Sequence, residues 1–193
     1  MSTVVVDTSV FTNPDSFQKL GKTSIHAFKK TLNYAQEHKI NLYITHGCWM
    51  ELQQFIPMNT INNQLLANLH IQSPDRDRIA VSGTFLHEVV CEFRKRGDAA
   101  LKYGTKIVRE AYDNVPQPRE KGKPEPVFPY ISKLRDGYRH HLRTNFIDSG
   151  EDLDTLLLAK QLKARLVTSD LGMVAYANRL GVELLEPLYL LSI

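Results

Sequence analysis

Four acidic side chains lie within the seven residues Asp148–Asp154, directly before the apolar run Leu156–Ala159. Because like charges repel and raise one another's pKa values, such a cluster destabilises a fold unless something offsets it. Two arrangements do so: a solvated helix start, where negative charge suits the positive end of the helix dipole, and a site for divalent cations. The cluster alone leaves both interpretations open.

Two more aspartates follow short apolar segments elsewhere in the chain. Asp7 follows Val4-Val5-Val6, and Asp170 closes the segment Leu166-Val167-Thr168-Ser169-Asp170. The carboxyl ends of parallel strands meet at one edge of a sheet, and ligands of open α/β sheets bind outside that edge. We therefore expect Asp7, Asp170 and the helix that begins in Asp148–Asp154 to surround one crevice.

Carboxylate ligands without histidine or cysteine suit Mg²⁺ or Mn²⁺ rather than zinc. Two such ions about 3.5–4 Å apart activate a water molecule and stabilise the leaving oxygen of a phosphodiester. The pattern therefore predicts hydrolysis of a phosphodiester without a protein nucleophile, and a product that carries a 5′-phosphate.

The register within the acidic cluster is open. Asp148 and Asp152 share a helical face if the helix begins that early, whereas Asp152 and Asp154 point to different sides. One of Asp152 and Asp154 is therefore expected to be a supporting residue. Ser149 with Asp152 also fits a helix cap, and a turn cap is the alternative role for Asp7 and for Asp170.

Several neighbours are candidates for supporting roles. Glu51, after the second predicted strand, would reach the crevice from a helix. Thr8, Ser9 and Ser169 are expected to orient carboxylates or to bond the backbone, because no histidine stands beside them to activate a nucleophile.

The remaining pattern is that of a parallel α/β domain with an insertion. Predicted strands cover 3–6, 40–45, 165–168 and 182–185, and predicted helices include 60–71, 154–163 and 171–180. Between them, 83–112 and 129–146 show helical periodicity with no strand between. We interpret 75–145 as an inserted helical hairpin in a domain formed by 1–74 and 146–193. Its Pro-rich tip carries Arg119, Lys121 and Lys123.

Charge and composition limit the class of protein. The segment Asp75–Arg143 has a net charge of +5 and the rest of the chain −2, which suggests a polyanion partner near an acidic centre. A solvated helical face is the alternative. Arg139 and Arg143 flank His140-His141 and are candidates for an RNA-facing or subunit-facing helix.

With no membrane-length apolar run, no basic signal region and only two cysteines, a cytoplasmic protein with free thiols is expected.

The order of Asp7, Glu51, the Asp154-to-Ala159 helix and Thr168-Ser169-Asp170 resembles the PIN-domain nucleases. The segments Val4–Asp15 and Asp148–Thr155 more closely resemble the HARP family of minimal protein-only ribonucleases P, and the resemblance covers the whole chain.

This resemblance implies a three-layer PIN-like domain with a central parallel sheet and a protruding two-helix spike. It implies Mg²⁺-dependent removal of the 5′ leader from precursor tRNA, and homo-oligomers built through the spikes, dodecamers in the family. The metal ligands would be Asp7, Asp148, Asp152 and Asp170, with Asp154 as a further catalytic candidate.

Two other functions share parts of this pattern. A toxin-type PIN ribonuclease that cuts tRNA or mRNA would have the same metal site, but such proteins lack a long inserted hairpin and need an inhibitory partner. A non-catalytic RNA-binding accessory protein would retain the crevice as a relict, which a complete set of carboxylates argues against.

Overall fold

The structure, a computed structural model, describes residues 2–114, 127–144, 146–147 and 149–192. The chain divides into two compact units. The first consists of Met1–Ser82 with Ile147–Ile193, and the second of Gly83–Phe146. The segment 75–82, which the sequence predicted to belong to the insertion, therefore lies with the first unit.

A parallel four-stranded sheet organises the described part of the first unit. Its strands are β1 (Thr3–Val6), β2 (Asn41–Ile44), β3 (Leu69–Ile71) and β4 (Arg165–Val167), in the order β3-β2-β1-β4. Val5 pairs with Tyr43 on one side and with Leu166 on the other. Since all strands run in one direction, Asp7, Thr45 and Thr168 leave the sheet at the same edge.

Helices connect the strands and form the second unit. They are α1 (Ser9–Thr12), α2 (Pro14–Leu20), α3 (Ser24–Glu37), α4 (His46–Phe55), α5 (Asn63–Leu66), α6 (Gly83–Asn114), α7 (Phe128–Arg143), α8 (Gly150–Leu162) and α9 (Leu171–Leu180), with short 3₁₀ turns at Met58–Thr60 and Pro187–Leu191.

The valines of β1 explain why this strand is central. Val4, Val5 and Val6 are fully buried, and β-branched side chains suit a strand that is covered on both faces. Val4 and Val6 join the core cluster that contains Phe28 of α3. The helix α8 packs against β1 and β4, and its residues from Thr155 to Ala159 are all buried.

Two predicted elements differ from the structure. The segment Thr60–Ile71 was predicted as one helix, but it contains only the single turn α5 and then β3, which pairs with β2. The predicted strand 182–185 is reduced to an isolated bridge between Leu166 and Leu184. Both differences arise because hydrogen bonds to a neighbouring strand, rather than local periodicity, decide where a short strand forms.

The second unit consists of α6 and α7 packed against each other in opposite directions. In the middle of α6, Arg96 donates to the Thr144 carbonyl, just after α7, at 2.6 Å, whereas near the end of α6 Glu110 pairs with Lys133 in the first half of α7. The residues Arg119, Lys121 and Lys123 of the predicted tip lie outside the described residues.

Within the described residues, no helix is both long and apolar enough to cross a lipid bilayer. The two cysteines are free thiols, and they differ in environment. Cys48 is buried in α4, and Cys91 is exposed on α6.

Candidate functional site

The carboxylate of Asp7 is the centre of the candidate site. Asp7 follows β1 directly, its backbone N–H donates to the Val167 carbonyl at 3.0 Å, and the residue is only 5% exposed. Its Oδ2 accepts hydrogen bonds from the Ser9 N–H at 3.3 Å, from the Ser9 hydroxyl and from the Thr168 hydroxyl at 2.8 Å. One carboxylate oxygen is therefore saturated with strong donors.

Ser9 and Thr168 connect Asp7 to the backbone that follows β4. The Ser9 hydroxyl accepts from the Ser169 N–H at 2.9 Å, and the Thr168 hydroxyl accepts from the Asp170 N–H at 3.0 Å. Because a carboxylate can only accept, each hydroxyl donates its own proton to Asp7 Oδ2 while it accepts from the backbone. These two relays, each a hydrogen-bond chain from a backbone N–H through a hydroxyl to Asp7, fix the orientation of Asp7. They also join the carboxyl ends of β1 and β4.

The other oxygen of Asp7, Oδ1, is in a different environment. The donor that reaches it is the thiol of Cys48, whose Sγ lies 3.7 Å away. Among the described residues, no lysine, arginine or histidine forms an ion pair with Asp7. A buried carboxylate without a basic partner is costly unless a cation neutralises it. The site is therefore chemically suited to a metal ion at Oδ1.

Asp170 lies beside Asp7 but is exposed. It is the N-cap of α9, and its Oδ1 accepts from the Met173 N–H at 2.8 Å. The capping bond fixes the side chain at the sheet edge, and the Thr168 relay ties its backbone to Asp7.

The helix α8 begins after the cap residue Ser149, whose Oγ accepts from the Asp152 N–H at 3.0 Å. The predicted cap is therefore present, and Asp152 lies in the first turn. Asp154 forms a bidentate ion pair with Arg76, with distances of 2.7 Å from Nε to Oδ1 and 2.6 Å from Nη2 to Oδ2. The hydrogen bond and charge of Asp154 raise the pKa of the Arg76 guanidinium above its usual value. Both oxygens of Asp154 are thus engaged by Arg76.

Cys48 links Asp7 to α8. Its Sγ lies 3.3 Å from the hydroxyl of Thr155, which is fully buried in α8. Burial, and next the nearby charge of Asp7, raise the pKa of the Cys48 thiol. The thiol therefore remains protonated at neutral pH, and it acts as a donor rather than as a nucleophile.

The remaining predicted site residues occupy less central positions. Thr8 donates to the Cys48 carbonyl at 3.3 Å, so it bonds the backbone of α4 rather than a carboxylate. Ser169 contributes its backbone N–H to the Ser9 relay. Glu51 is exposed on α4, one turn after Gly47, which approaches Glu151 closely. Asp148 lies outside the described residues.

Within the part of the chain that the structure describes, no three His, Cys, Asp or Glu side chains form a group that could hold a metal ion. The structure links the backbone of Asp170 to the Asp7 carboxylate through Thr168, and it links Asp7 to α8 through Cys48. Three contributors were not singled out from the sequence: Thr168, Cys48 and Arg76. Only Thr168 carried a signal, since it stands in the Thr168-Ser169-Asp170 motif.

In the second unit, Arg139 and Arg143 are exposed on α7. Next to them, α6 and α7 form a largely apolar groove of about 580 Å³. The groove is lined by small and aliphatic residues, including Ala100, Leu101, Gly104 and Val108, with Tyr138 from α7.

Comparison with known proteins finds a family and close relatives. Residues 3–193 match the model of the PINc domain ribonucleases. An RNA-free ribonuclease P of Halorhodospira halophila is 33% identical over 98% of this chain and 88% of its own length. The proteins of that name from Thermodesulfovibrio yellowstonii and Pyrococcus horikoshii are 34% and 30% identical, over 95% and 93% of this chain and 89% and 84% of their own lengths.

Proposed function

Since the chain belongs to the RNA-free ribonuclease P family of PINc domain ribonucleases, we propose that it removes the 5′ leader of precursor tRNA by Mg²⁺-dependent hydrolysis. The product is a tRNA with a 5′-phosphate. Mn²⁺ is proposed to support the same reaction in place of Mg²⁺, because both are hard cations that prefer oxygen ligands.

One observation supports the metal-dependent reaction above the others. Asp7 is a buried carboxylate with Oδ2 saturated by hydroxyl and amide donors and with Oδ1 contacted by a weak thiol donor. No basic side chain among the described residues neutralises it. A divalent cation at Oδ1 would offset the desolvation of this charge.

In this proposal the ion is held by Asp7, Asp148, Asp152 and Asp170. When bound, it supplies Lewis acidity to the scissile phosphodiester. Asp152 is preferred to Asp154 because both oxygens of Asp154 are engaged by Arg76. Ser9 and Thr168 keep Asp7 oriented, and Asp154 anchors Arg76 beside the acidic helix start.

The proposal extends to the partners. Precursor tRNA is the substrate, and Arg139 and Arg143 on α7 contact its backbone, as do the tip residues Arg119, Lys121 and Lys123. The protein assembles into a homo-oligomer through α6 and α7, whose exposed apolar side chains favour burial against a second copy.

The direct test incubates the purified protein with a 5′-extended precursor tRNA and Mg²⁺, and compares it with Asp7→Asn. We expect the wild-type protein to release the leader and a 5′-phosphorylated tRNA. Because the variant loses a central ligand charge, its cleavage rate should fall at least about 1,000-fold. Asp15→Asn, at an exposed aspartate of α2, is the matched control and should cleave normally.

The same assay separates the alternatives. A toxin-type ribonuclease would cut mature tRNA or mRNA as readily as the leader, and an accessory protein would bind RNA without cutting it. Metal-dependent cleavage that survives in a folded Asp7→Asn protein would refute the assignment of Asp7.

A further inference from the structure

A buried thiol lies between the central aspartate and the acidic helix. Cys48 is 2% exposed, in the first turn of α4. Its Sγ lies 3.7 Å from Asp7 Oδ1 and 3.3 Å from Thr155 Oγ1. One side chain therefore contacts the carboxyl end of β1 and the middle of α8 at the same time.

Buried threonines hold this cysteine from the other directions. The Cys48 N–H donates to Thr45 Oγ1 at 3.4 Å, and Thr8 Oγ1 donates to the Cys48 carbonyl at 3.3 Å. Thr45 Oγ1 also lies 3.2 Å from Thr155 Oγ1. Thr8, Thr45 and Thr155 are each at most 2% exposed. Since the backbone of Cys48 is fixed on both sides, the position of its thiol is determined by the fold.

The position of Thr155 sets the position of Asp152. Asp152 precedes Thr155 by three residues in α8, so the two share a helical face. A helical side chain covers the turn N-terminal to its own Cα, which directs Asp152 toward the helix start. A shift of α8 at Thr155 would therefore move Asp152 relative to Asp7.

We propose that Cys48 is a positioning residue that sets the spacing between Asp7 and the helix that carries Asp152. The inference deepens the proposed function and rests on it, because the spacing matters only if both carboxylates hold a metal ion. The thiol donates a hydrogen bond to Asp7 Oδ1, the oxygen that the hydroxyls of Ser9 and Thr168 leave available to an ion. It also contacts Thr155 in α8, and these two contacts together set the spacing.

The test measures Mn²⁺ binding to the purified protein by isothermal titration calorimetry, without RNA. Cys48→Ala removes the donor, and Cys48→Ser restores one at almost the same volume. Because groups that orient metal ligands typically contribute about 10–100-fold in affinity and a thiol is a weak donor, we expect about three- to tenfold weaker binding for Cys48→Ala. Cys48→Ser should remain within about twofold of the wild-type protein, and so should Cys91→Ala at the exposed cysteine.

Thr155→Val, a nearly isosteric change, tests the other end of the link and carries the experiment if Cys48→Ala fails to fold. It should also weaken Mn²⁺ binding, although it removes in addition the Thr155 hydrogen bonds with the Glu151 carbonyl and with Thr45. The loss in the double variant should be smaller than the product of the two single losses, because both changes remove the contact between Cys48 and Thr155. Unchanged Mn²⁺ affinity in the folded variants, or Cys48→Ser as weak as Cys48→Ala, would overturn the role of Cys48. If the wild-type protein itself neither binds Mn²⁺ nor cleaves precursor tRNA, the proposed function fails instead.

Discussion

The two oxygens of Asp7 have different roles because of the side chains that surround them. Hydroxyl groups of Ser9 and Thr168 approach Oδ2, and each is polarised by a backbone N–H. This arrangement leaves the carboxylate little rotational freedom. A ligand that is already oriented loses less entropy when it binds an ion, so in the proposed site the relays would increase metal affinity without contacting the metal.

Thr168→Val tests the relay at Asp7. Valine has the shape of threonine but no hydroxyl, so Asp7 Oδ2 loses its 2.8 Å donor and the Asp170 N–H loses its acceptor. We expect cleavage of precursor tRNA to fall about 10–100-fold, with Thr168→Ser retaining most of the activity. The control is Thr31→Val, since Thr31 is also buried and its hydroxyl donates to the Ala27 carbonyl of its own helix. Equal losses in both variants would contradict the relay.

The ion pair with Arg76 distinguishes Asp154 from Asp152, the other aspartate in the first turns of α8. We expect Asp152→Asn to lower the cleavage rate at least about 100-fold, because it removes a proposed ligand charge. Asp154→Asn should cost less than about tenfold, since Asp154 is neutralised by Arg76. The measurement is the single-turnover rate at several Mg²⁺ concentrations.

Arg76→Gln provides the matched control for Asp154. If Asp154 acts through Arg76, the double variant Arg76→Gln, Asp154→Asn should be no slower than either single variant. A loss for Asp154→Asn as large as that for Asp152→Asn would instead make Asp154 a metal ligand.

At the scale of elements, a glycine determines how closely α6 and α7 pack. A Cβ at Gly137 of α7 would lie 1.8 Å from Cε1 and 2.4 Å from Cζ of Tyr103 in α6. The Tyr103 ring also packs near His141, with ring centroids 5.3 Å apart, and its hydroxyl donates to the Lys133 carbonyl at 3.4 Å. The ring therefore cannot move without losing contacts with α7.

Gly137→Ala should destabilise the second unit by about 1–3 kcal/mol, because overpacking forces the Tyr103 ring away from α7. Gly97→Ala is the matched control within α6, since a Cβ there meets nothing within 4 Å. It should stabilise the helix by about 0.5–1 kcal/mol, because alanine restricts the unfolded chain more than glycine does. Guanidinium unfolding followed by circular dichroism measures both. Equal midpoints for the two variants would contradict the packing described.

The elements that sequence reasoning predicted are those with strong local signals. Val4-Val5-Val6 before Asp7 indicates a buried strand, and Ser149 caps α8 as its residue type suggests. The strand β3 was missed because Leu69, His70 and Ile71 carry no local strand signal, and their structure depends on pairing with β2. Such pairing is a tertiary interaction that periodicity does not record.

In the candidate site, too, contacts between residues far apart in the sequence could not be predicted. Asp7 and Asp170 could be predicted to lie at one sheet edge because strand ends of a parallel sheet converge, which is a consequence of topology; their role as metal ligands stays a prediction. Arg76 was missed because its partner Asp154 lies 78 residues away in the sequence. Cys48 was missed because its contact with Asp7 depends on the packing of α4 beneath the sheet edge.

At the scale of the whole molecule, charge is divided between the two units. The segment 83–146 contains 13 Lys and Arg against 8 Asp and Glu, a net charge of +5, whereas the rest of the chain carries −2. A polyanion is therefore attracted to the second unit, 83–146, and repelled by the first unit unless cations are bound there. This division supports the proposal that the second unit contacts RNA and that the carboxylates of the first unit hold cations.

An apolar stripe along α6 supports the proposed assembly. Leu86, Val90, Phe93, Leu101 and Val108 recur at helical spacing, and each is 52–70% exposed. Phe85, Ala100 and Ile107 are buried within the same helix, so the exposed stripe is a second apolar face. Apolar faces of this length are rarely left in water, and a self-complementary contact between copies would cover them.

The double variant Leu101→Asp, Val108→Asp tests this surface, because both side chains line the groove between α6 and α7. Burying two carboxylates in a contact between copies is costly, so the assembly should dissociate into smaller particles. Multi-angle light scattering on a sizing column measures the mass, and Leu188→Asp, at a half-exposed leucine of the first unit, is the control that should keep the wild-type mass. If the double variant also keeps that mass, the copies associate elsewhere. If it dissociates but still cuts precursor tRNA at the wild-type rate, each chain cleaves alone, and assembly is not required for catalysis.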